Sequence, residues 1–117
     1  VVFQFCFNFS SWWGALDQCE AQGGSLASIE SKEEHVAIKA IAQASQADRF
    51  WIGINDLKDE GKYVWSNGAK VDFDLWKNNQ PDNAQSNEHC GEILDWFDWN
   101  WNDFTCWTPQ PFICRFD

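Results

Sequence analysis

Phe3, Phe5, Phe7 and Phe9 recur at every second position, the period of a strand that turns one face toward a core. Ser11 is placed to cap the segment that follows, where Trp12, Ala15, Leu16 and Cys19 keep helical spacing until Gly23-Gly24 supplies a stop. Ser31, with Glu34 three positions later, makes a capping box for a second helix. Its apolar stripe reads Ala37, Ala40, Ile41 and Ala44, broadened by Val36 and Ile38. After Asp48 the pattern turns β-rich, at Phe50 to Ile54 and at Tyr63 to Trp65, with a polar turn around Asp59-Glu60-Gly61 between them. Later strands are predicted at Cys90 to Leu94 and Phe112 to Phe116. From Asp72 to Glu88 neither period is sustained, and a loop that long in a small domain usually carries function or is disordered. Strand, helix, helix and then strands around a long loop make an α+β domain.

The chain has 117 residues, 44% of them hydrophobic, which suits one domain with one core spanning 1–117. Acidic residues outnumber basic ones 18 to 8, for a net charge of −10 and a pI near 4.4. That balance repels phosphate backbones and anionic membranes and argues against nucleic-acid binding. No apolar run approaches the roughly 18 residues needed to cross a bilayer, and no leader pattern opens the sequence, so a soluble, processed chain with no membrane insertion is expected. Cys6, Cys19, Cys90, Cys106 and Cys114 form no CxxC pair and lie near no HxxxH, so disulfides in an oxidising, secreted setting fit better than zinc. Asn8-Phe9-Ser10 fits the glycosylation sequon of such proteins.

Candidate chemistry concentrates between Asp72 and Asp103, where Asp72, Asp74, Asp82, Glu88, Glu92, Asp95, Asp98 and Asp103 face a single base, Lys77. An acidic stretch is ordinarily a solvated surface. Here amides are interleaved with it, and Ca2+ takes six to eight hard oxygens from carboxylates, amide carbonyls, backbone and water. Gln80-Pro81-Asp82, Glu88 and Asn102-Asp103 offer that mixture. His35 reads as a polar-face residue of the second helix and His89 as an exposed neighbour of the loop. Neither lies in a nucleophile or metal motif, and the acids are better explained as calcium ligands than as a glycosidase pair, so no enzyme is expected.

Trp51-Ile52-Gly53-Ile54, Gln80-Pro81-Asp82 and Trp101-Asn102-Asp103, in that order and with Glu88 two residues before Cys90, resemble the WIGL, QPD and WND motifs of the C-type lectin-like domain. The resemblance covers essentially the whole chain. It implies the C-type lectin-like fold, with two short helices, antiparallel sheets and a long calcium-binding loop. It further implies disulfides Cys19–Cys114 and Cys90–Cys106, leaving Cys6 for an interchain bond and a dimer, a partner in a missing upstream segment, or a free thiol.

Carried over residue by residue, the resemblance makes Gln80, Asp82, Glu88, Asn102 and Asp103 ligands of one Ca2+. The sugar would bind that ion directly, and Gln80, Asp82, Glu88 and Asn102 would also hydrogen-bond its hydroxyls. The QPD order implies glycans ending in galactose or N-acetylgalactosamine. Many such relatives place a stacking tryptophan just after the motif, whereas this chain has Asn83-Ala84-Gln85-Ser86, and Trp96 or Trp99 is the candidate substitute. Trp12, Trp13, Trp51, Trp65, Trp76 and Trp101 read as core. Asp56, Glu60 and Glu88 match ligands of a second calcium position found in some relatives, but Asn83 and His89 stand where acids are common, so a single calcium is expected. The leading expectation is therefore a secreted, calcium-dependent galactose-type lectin serving agglutination or innate defence. The alternatives are a domain of this fold that binds a protein, one that recognises N-acetyl sugars without calcium, or an ice-binding protein.

Overall fold

The computed structural model describes residues 1–73, 75–76 and 88–117. In chain order the elements are β1 (Val2–Ser10), α1 (Trp12–Ala21), β2 (Ser25–Leu26), α2 (Lys32–Ala44), β3 (Arg49–Asn55), β4 (Val64–Trp65), β5 (Cys90–Leu94), a 3-10 turn at Asp95–Phe97, β6 (Trp101–Phe104) and β7 (Gln110–Phe116). The strands form one sheet in the order β1-β7-β3-β5-β6, with β2 on β7 and β4 on β3. Among the described pairings between named strands, only the β3–β7 contact, at Trp51 and Phe112, is parallel. Two helices on an antiparallel-rich sheet make the α+β class expected from the sequence. No helix among the described residues is long and apolar enough to cross a membrane.

Both predicted helix starts form. Ser11 Oγ accepts the Gly14 N–H at 3.1 Å and Ser31 Oγ accepts the Glu34 N–H at 3.2 Å, each satisfying a donor that the first turn leaves open. The capping box closes differently from its usual form, because Glu34 Oε1 accepts from the Glu30 N–H at 2.8 Å and from Arg115 Nη1 at 2.7 Å. Glu34 thereby ties the start of α2 to β7. Helix α1 ends where Gly23 turns to a φ of +88°, a conformation that glycine adopts without a Cβ penalty.

Strand alternation sends side chains to both faces of the sheet, and one helix covers each face. Phe50, Ile52, Ile54, Ile93 and Ile113 pack with Ile38 and Ala42 of α2, whereas Trp51, Phe112 and Cys114 pack with Trp12, Ala15 and Cys19 of α1. Gly53 lies close against β2: a Cβ there would stand 2.5 Å from the Leu26 carbonyl oxygen. The buried indoles of Trp12 and Trp51 donate to the Ile52 carbonyl at 2.8 Å and the Ser10 carbonyl at 3.0 Å, so their burial leaves these N–H groups satisfied. Disulfides Cys19–Cys114 and Cys90–Cys106 both form, the first joining α1 to β7 and the second holding the start of β5 to the segment after β6.

Three expectations are corrected. The buried face of α2 is His35, Ile38 and Ala42, while Val36 and Ile41 are exposed. His35 is therefore no polar-face residue; burial, reinforced by the charge of Lys39, lowers its pKa and keeps the imidazole neutral. In β1, Phe3 and Phe5 are half-buried but Phe7 and Phe9 are exposed, because the β1–β7 register slips between Cys6 and Ser10. Asn8 of the sequon is exposed in that stretch, where its side-chain amide donates to Gln18. Strands β2 and β6, which the apolar pattern does not announce, complete the sheet.

Candidate functional site

The site is built on the antiparallel pair of β5 and β6. Its register, Cys90↔Phe104, Gly91↔Asp103 and Glu92↔Asn102, places Asn102 and Asp103 on opposite faces of β6. On one face, Asn102 Nδ2 donates to Glu92 Oε2 at 2.7 Å, and Arg49 Nε stands 3.6 Å from Glu92 Oε1. Glu92 has no exposed surface, and desolvation pushes its carboxyl up to about 7 against the lowering effects of the Asn102 hydrogen bond and the Arg49 charge. On the other face, the fully buried Asp103 meets the Tyr63 hydroxyl at 3.4 Å. Burial, and then the negative charges of Asp103 and Asp56, raise the Tyr63 pKa, so the phenol remains a donor.

Beside Asp103, the end of β3 and the approach to β5 are clamped together, since the Asp56 N–H donates to the His89 carbonyl at 3.0 Å. His89 Nδ1 lies 3.0 Å from Asp56 Oδ1 and 3.4 Å from Glu60 Oε1. The three side chains offer ligand atoms all within 4.8 Å of one another. The Gly61 N–H holds Asp56 Oδ2 at 2.8 Å, which leaves Oδ1 directed at His89. Partial loss of hydration, followed by the hydrogen bond and charge of Asp56, pushes the Glu60 carboxyl up. His89 is thus a half-buried member of a carboxylate cluster, where the sequence suggests an exposed neighbour.

The predicted ligands divide in a definite way. Asn102 and Asp103 stand on opposite faces of β6, and Glu88 lies two residues before Cys90, the residue opposite Phe104. Gln80 and Asp82, with the rest of 77–87, lie outside the described residues. The described chain on either side of that stretch flanks the same two residues: Trp76 bridges to Trp101, whose N–H donates to the Leu75 carbonyl at 2.8 Å, and Glu88 leads into Cys90 opposite Phe104.

The two candidate sugar platforms separate. Trp99 is 3% exposed and packs on Phe50. Asp98 and Trp99 both take left-handed backbone, and Asp98 pairs with Lys39 of α2 at 2.8 Å, so the turn directs the Trp99 ring into the core. A buried ring offers a sugar no face, and Trp99 is withdrawn from the binding residues. Trp96 is 59% exposed, but its ring rests against the Arg49 guanidinium, 5.0 Å from the ring centroid. Leu94, two residues before Trp96, is already six residues from Glu88, about 20 Å at the rise of an extended strand. Trp12, Trp51, Trp65 and Trp101 are buried as expected, while Trp13 and Trp76 are half-buried. Sequence reasoning counted Glu92 among the acids of the stretch but gave it no role; an acid centred in the otherwise apolar strand Cys90–Leu94 is the signal that could have singled it out.

Residues 9–116 match the family model of the lectin C-type domain. The chain belongs to the C-type lectin domain family. This lectin domain is 35% identical to salivary C-type lectin 1 of Aedes albopictus, over 96% of its own length and 81% of that protein. It is 35% identical to the galactose-specific lectin nattectin of Thalassophryne nattereri, over 93% of its length and 72% of the relative. Among solved structures, the C-type lectin CEL-I from Cucumaria echinata superposes with a TM-score of 0.90 at 26% identity, covering 96% of this domain and 86% of that chain. A calcium-independent type II antifreeze protein superposes with a TM-score of 0.86 at 32% identity, covering 96% and 82% respectively. As a member of a lectin family, the domain is a carbohydrate binder.

Proposed function

We propose that this lectin domain binds galactose or N-acetylgalactosamine at the ends of glycans through one Ca2+, held by Gln80, Asp82, Glu88, Asn102 and Asp103. The observation that supports the reading is the pairing of β5 with β6, which sets Glu92 opposite Asn102 and Gly91 opposite Asp103, with Glu88 two residues before the start of β5. The carboxylate and amide oxygens of the proposed ligands are the hard donors that Ca2+ prefers. Because Glu92 accepts from the Asn102 amide nitrogen, the Asn102 carbonyl oxygen is the atom left for a cation. Bound there, calcium would supply coordination sites for two neighbouring sugar hydroxyls. The protein's part is to fix the ligand oxygens and to offer carboxylate acceptors and amide donors to those hydroxyls. Gln80 before Asp82 sets the amide and carboxylate in the order that the family resemblance associates with galactose, and nattectin is named as galactose-specific.

The two disulfides and the salivary relatives support a secreted protein, and agglutination or defence is the role we propose for it. Cys6 is the cysteine outside both disulfides, half-buried, with a thiol pKa raised by burial. An interchain Cys6 bond would make the domain bivalent, and reductant would then dissolve a dimer seen on non-reducing electrophoresis.

The deciding experiment is titration with galactose, N-acetylgalactosamine and mannose, each with calcium and again with excess chelator. Galactose-type binding that chelator abolishes is expected. Binding that survives chelation overturns the calcium bridge, and its absence with every sugar overturns the lectin reading in favour of a protein ligand or, given the antifreeze relative, ice.

A further inference from the structure

The cluster of Asp56, Glu60 and His89 lies on the Asp103 face of β6, apart from the Glu92–Asn102 pair. It differs in kind from the five proposed calcium ligands, because one of its three donors is an imidazole nitrogen. Ca2+ takes six to eight oxygens and has little use for nitrogen, whereas Zn2+ is satisfied by three protein ligands of mixed imidazole and carboxylate type with water in a fourth position. Among the described residues the cluster supplies three such side chains.

We propose that Asp56, Glu60 and His89 form a binding site for Zn2+ rather than for a second Ca2+. The spacing suits the smaller ion. Four ligands around zinc at bond lengths of about 2.0–2.1 Å stand about 3.4 Å apart. The His89 Nδ1 atom already stands 3.0 Å from Asp56 Oδ1 and 3.4 Å from Glu60 Oε1. In the Zn2+ complex His89 would offer its Nδ1 lone pair, and Asp56 and Glu60 a carboxylate oxygen each, to the metal.

The site is also held in place before any metal arrives. The Gly61 N–H fixes the far oxygen of Asp56, and the backbone bond from Asp56 to His89 locks together the two segments that carry the ligands. Asp56 is 2% exposed, so its carboxylate has little freedom to turn toward water. Zinc would brace the residue next to Glu88.

The test is calorimetric titration of the full chain with Zn2+, at saturating calcium and with Cys6 alkylated so that its thiol cannot compete for the metal. One equivalent of zinc is expected, with a rise in melting temperature. His89→Gln should weaken zinc uptake at least tenfold. His89→Asp should lose zinc and take up one additional calcium. Co2+ in place of zinc should show the intense visible absorption of a four- or five-coordinate ion in the parent chain, but not in His89→Gln. No zinc uptake, uptake unchanged in both His89 variants, or zinc displaced by calcium would each overturn the proposal. None of these readouts requires sugar binding, so they stand or fall apart from the galactose site.

Discussion

The amide of Asn102 donates to the carboxylate of Glu92 over 2.7 Å, across the β5–β6 pair, and Glu92 is wholly buried. A side chain that would otherwise rotate at the sheet edge is thereby held with its carbonyl oxygen available to a cation. With Asn102 as a ligand of the proposed Ca2+, Glu92 would be a positioning residue. Glu92→Ala should lower calcium affinity about tenfold, the scale on which partners of metal ligands commonly act, whereas Glu92→Gln keeps an acceptor and should retain most of it. Calorimetric calcium titration of both variants checks this, and equal losses would argue against positioning by the hydrogen bond.

The same carboxyl gives the fold an unusual pH response. Its folded pKa of about 7 lies above the unfolded value near 4.5, so between these limits the folded state holds the proton more tightly. Its contribution is fully present at low pH and is lost as pH rises through about 7. In Glu92→Gln the decline in stability from about pH 5 to about pH 8 should shrink by about 1–3 kcal/mol, measured by denaturant unfolding without calcium.

His35 acts in the opposite sense. Its folded pKa is depressed by burial and by Lys39, so the unfolded chain takes up the proton first as pH falls below about 6.5. The stability this group contributes is present above that value and lost on acidification. His35→Gln should lose less melting temperature than the parent between about pH 7 and about pH 5, and a parallel decline in both proteins would count against the assignment.

Asp82→Asn should abolish or greatly weaken calcium-dependent sugar binding, because it removes a ligand charge and a hydroxyl acceptor together. Far-ultraviolet circular dichroism should be unchanged, since the substitution keeps the size of the side chain and removes only its charge. Acidification should release the sugar from the parent chain as the ligand carboxylates protonate. Unchanged affinity in Asp82→Asn would refute its role as a ligand.

The Cys90–Cys106 disulfide closes a short loop, 16 residues in sequence separation, that contains Asn102 and Asp103. Replacing both cysteines with serine should cost about 3 kcal/mol in the chain-entropy model, read as a lower denaturant midpoint. Calcium affinity should fall as well, because this crosslink spans the two strands that carry Glu92 and Asn102.

How far the sequence was legible depends on the kind of signal. Ser11 and Ser31 announced their helices because capping is local chemistry between neighbours in sequence. Phe50 to Ile54 and Phe112 to Phe116 were visible as strands because both faces are largely buried and the residues are apolar but for Arg115. The face of α2 was misread because Val36 and Ile41 stay in water, while a neutral His35 takes a core position that its ordinary charge state conceals. Strand β6 was missed because Trp101-Asn102-Asp103-Phe104 carries polar residues in the middle of a short strand. The ligand set itself came from motif resemblance. The partnership of Glu92 with Asn102 depends on strand register, which no local pattern records.

The first and last strands run side by side, with Val2 opposite Phe116, and the Cys19–Cys114 bond lies just inward of both. Tension applied at Val2 and Phe116 would therefore open β1 from β7 like a zipper, one pair at a time. The tear would halt at the sulfur crosslink, beyond which force passes from Cys19 to Cys114 through the bond itself. Everything between those two cysteines, including Asp56, Glu88, Asn102 and Asp103, is mechanically bypassed. Tension between its own two ends would thus cost this domain its peripheral strand before it reached the proposed site.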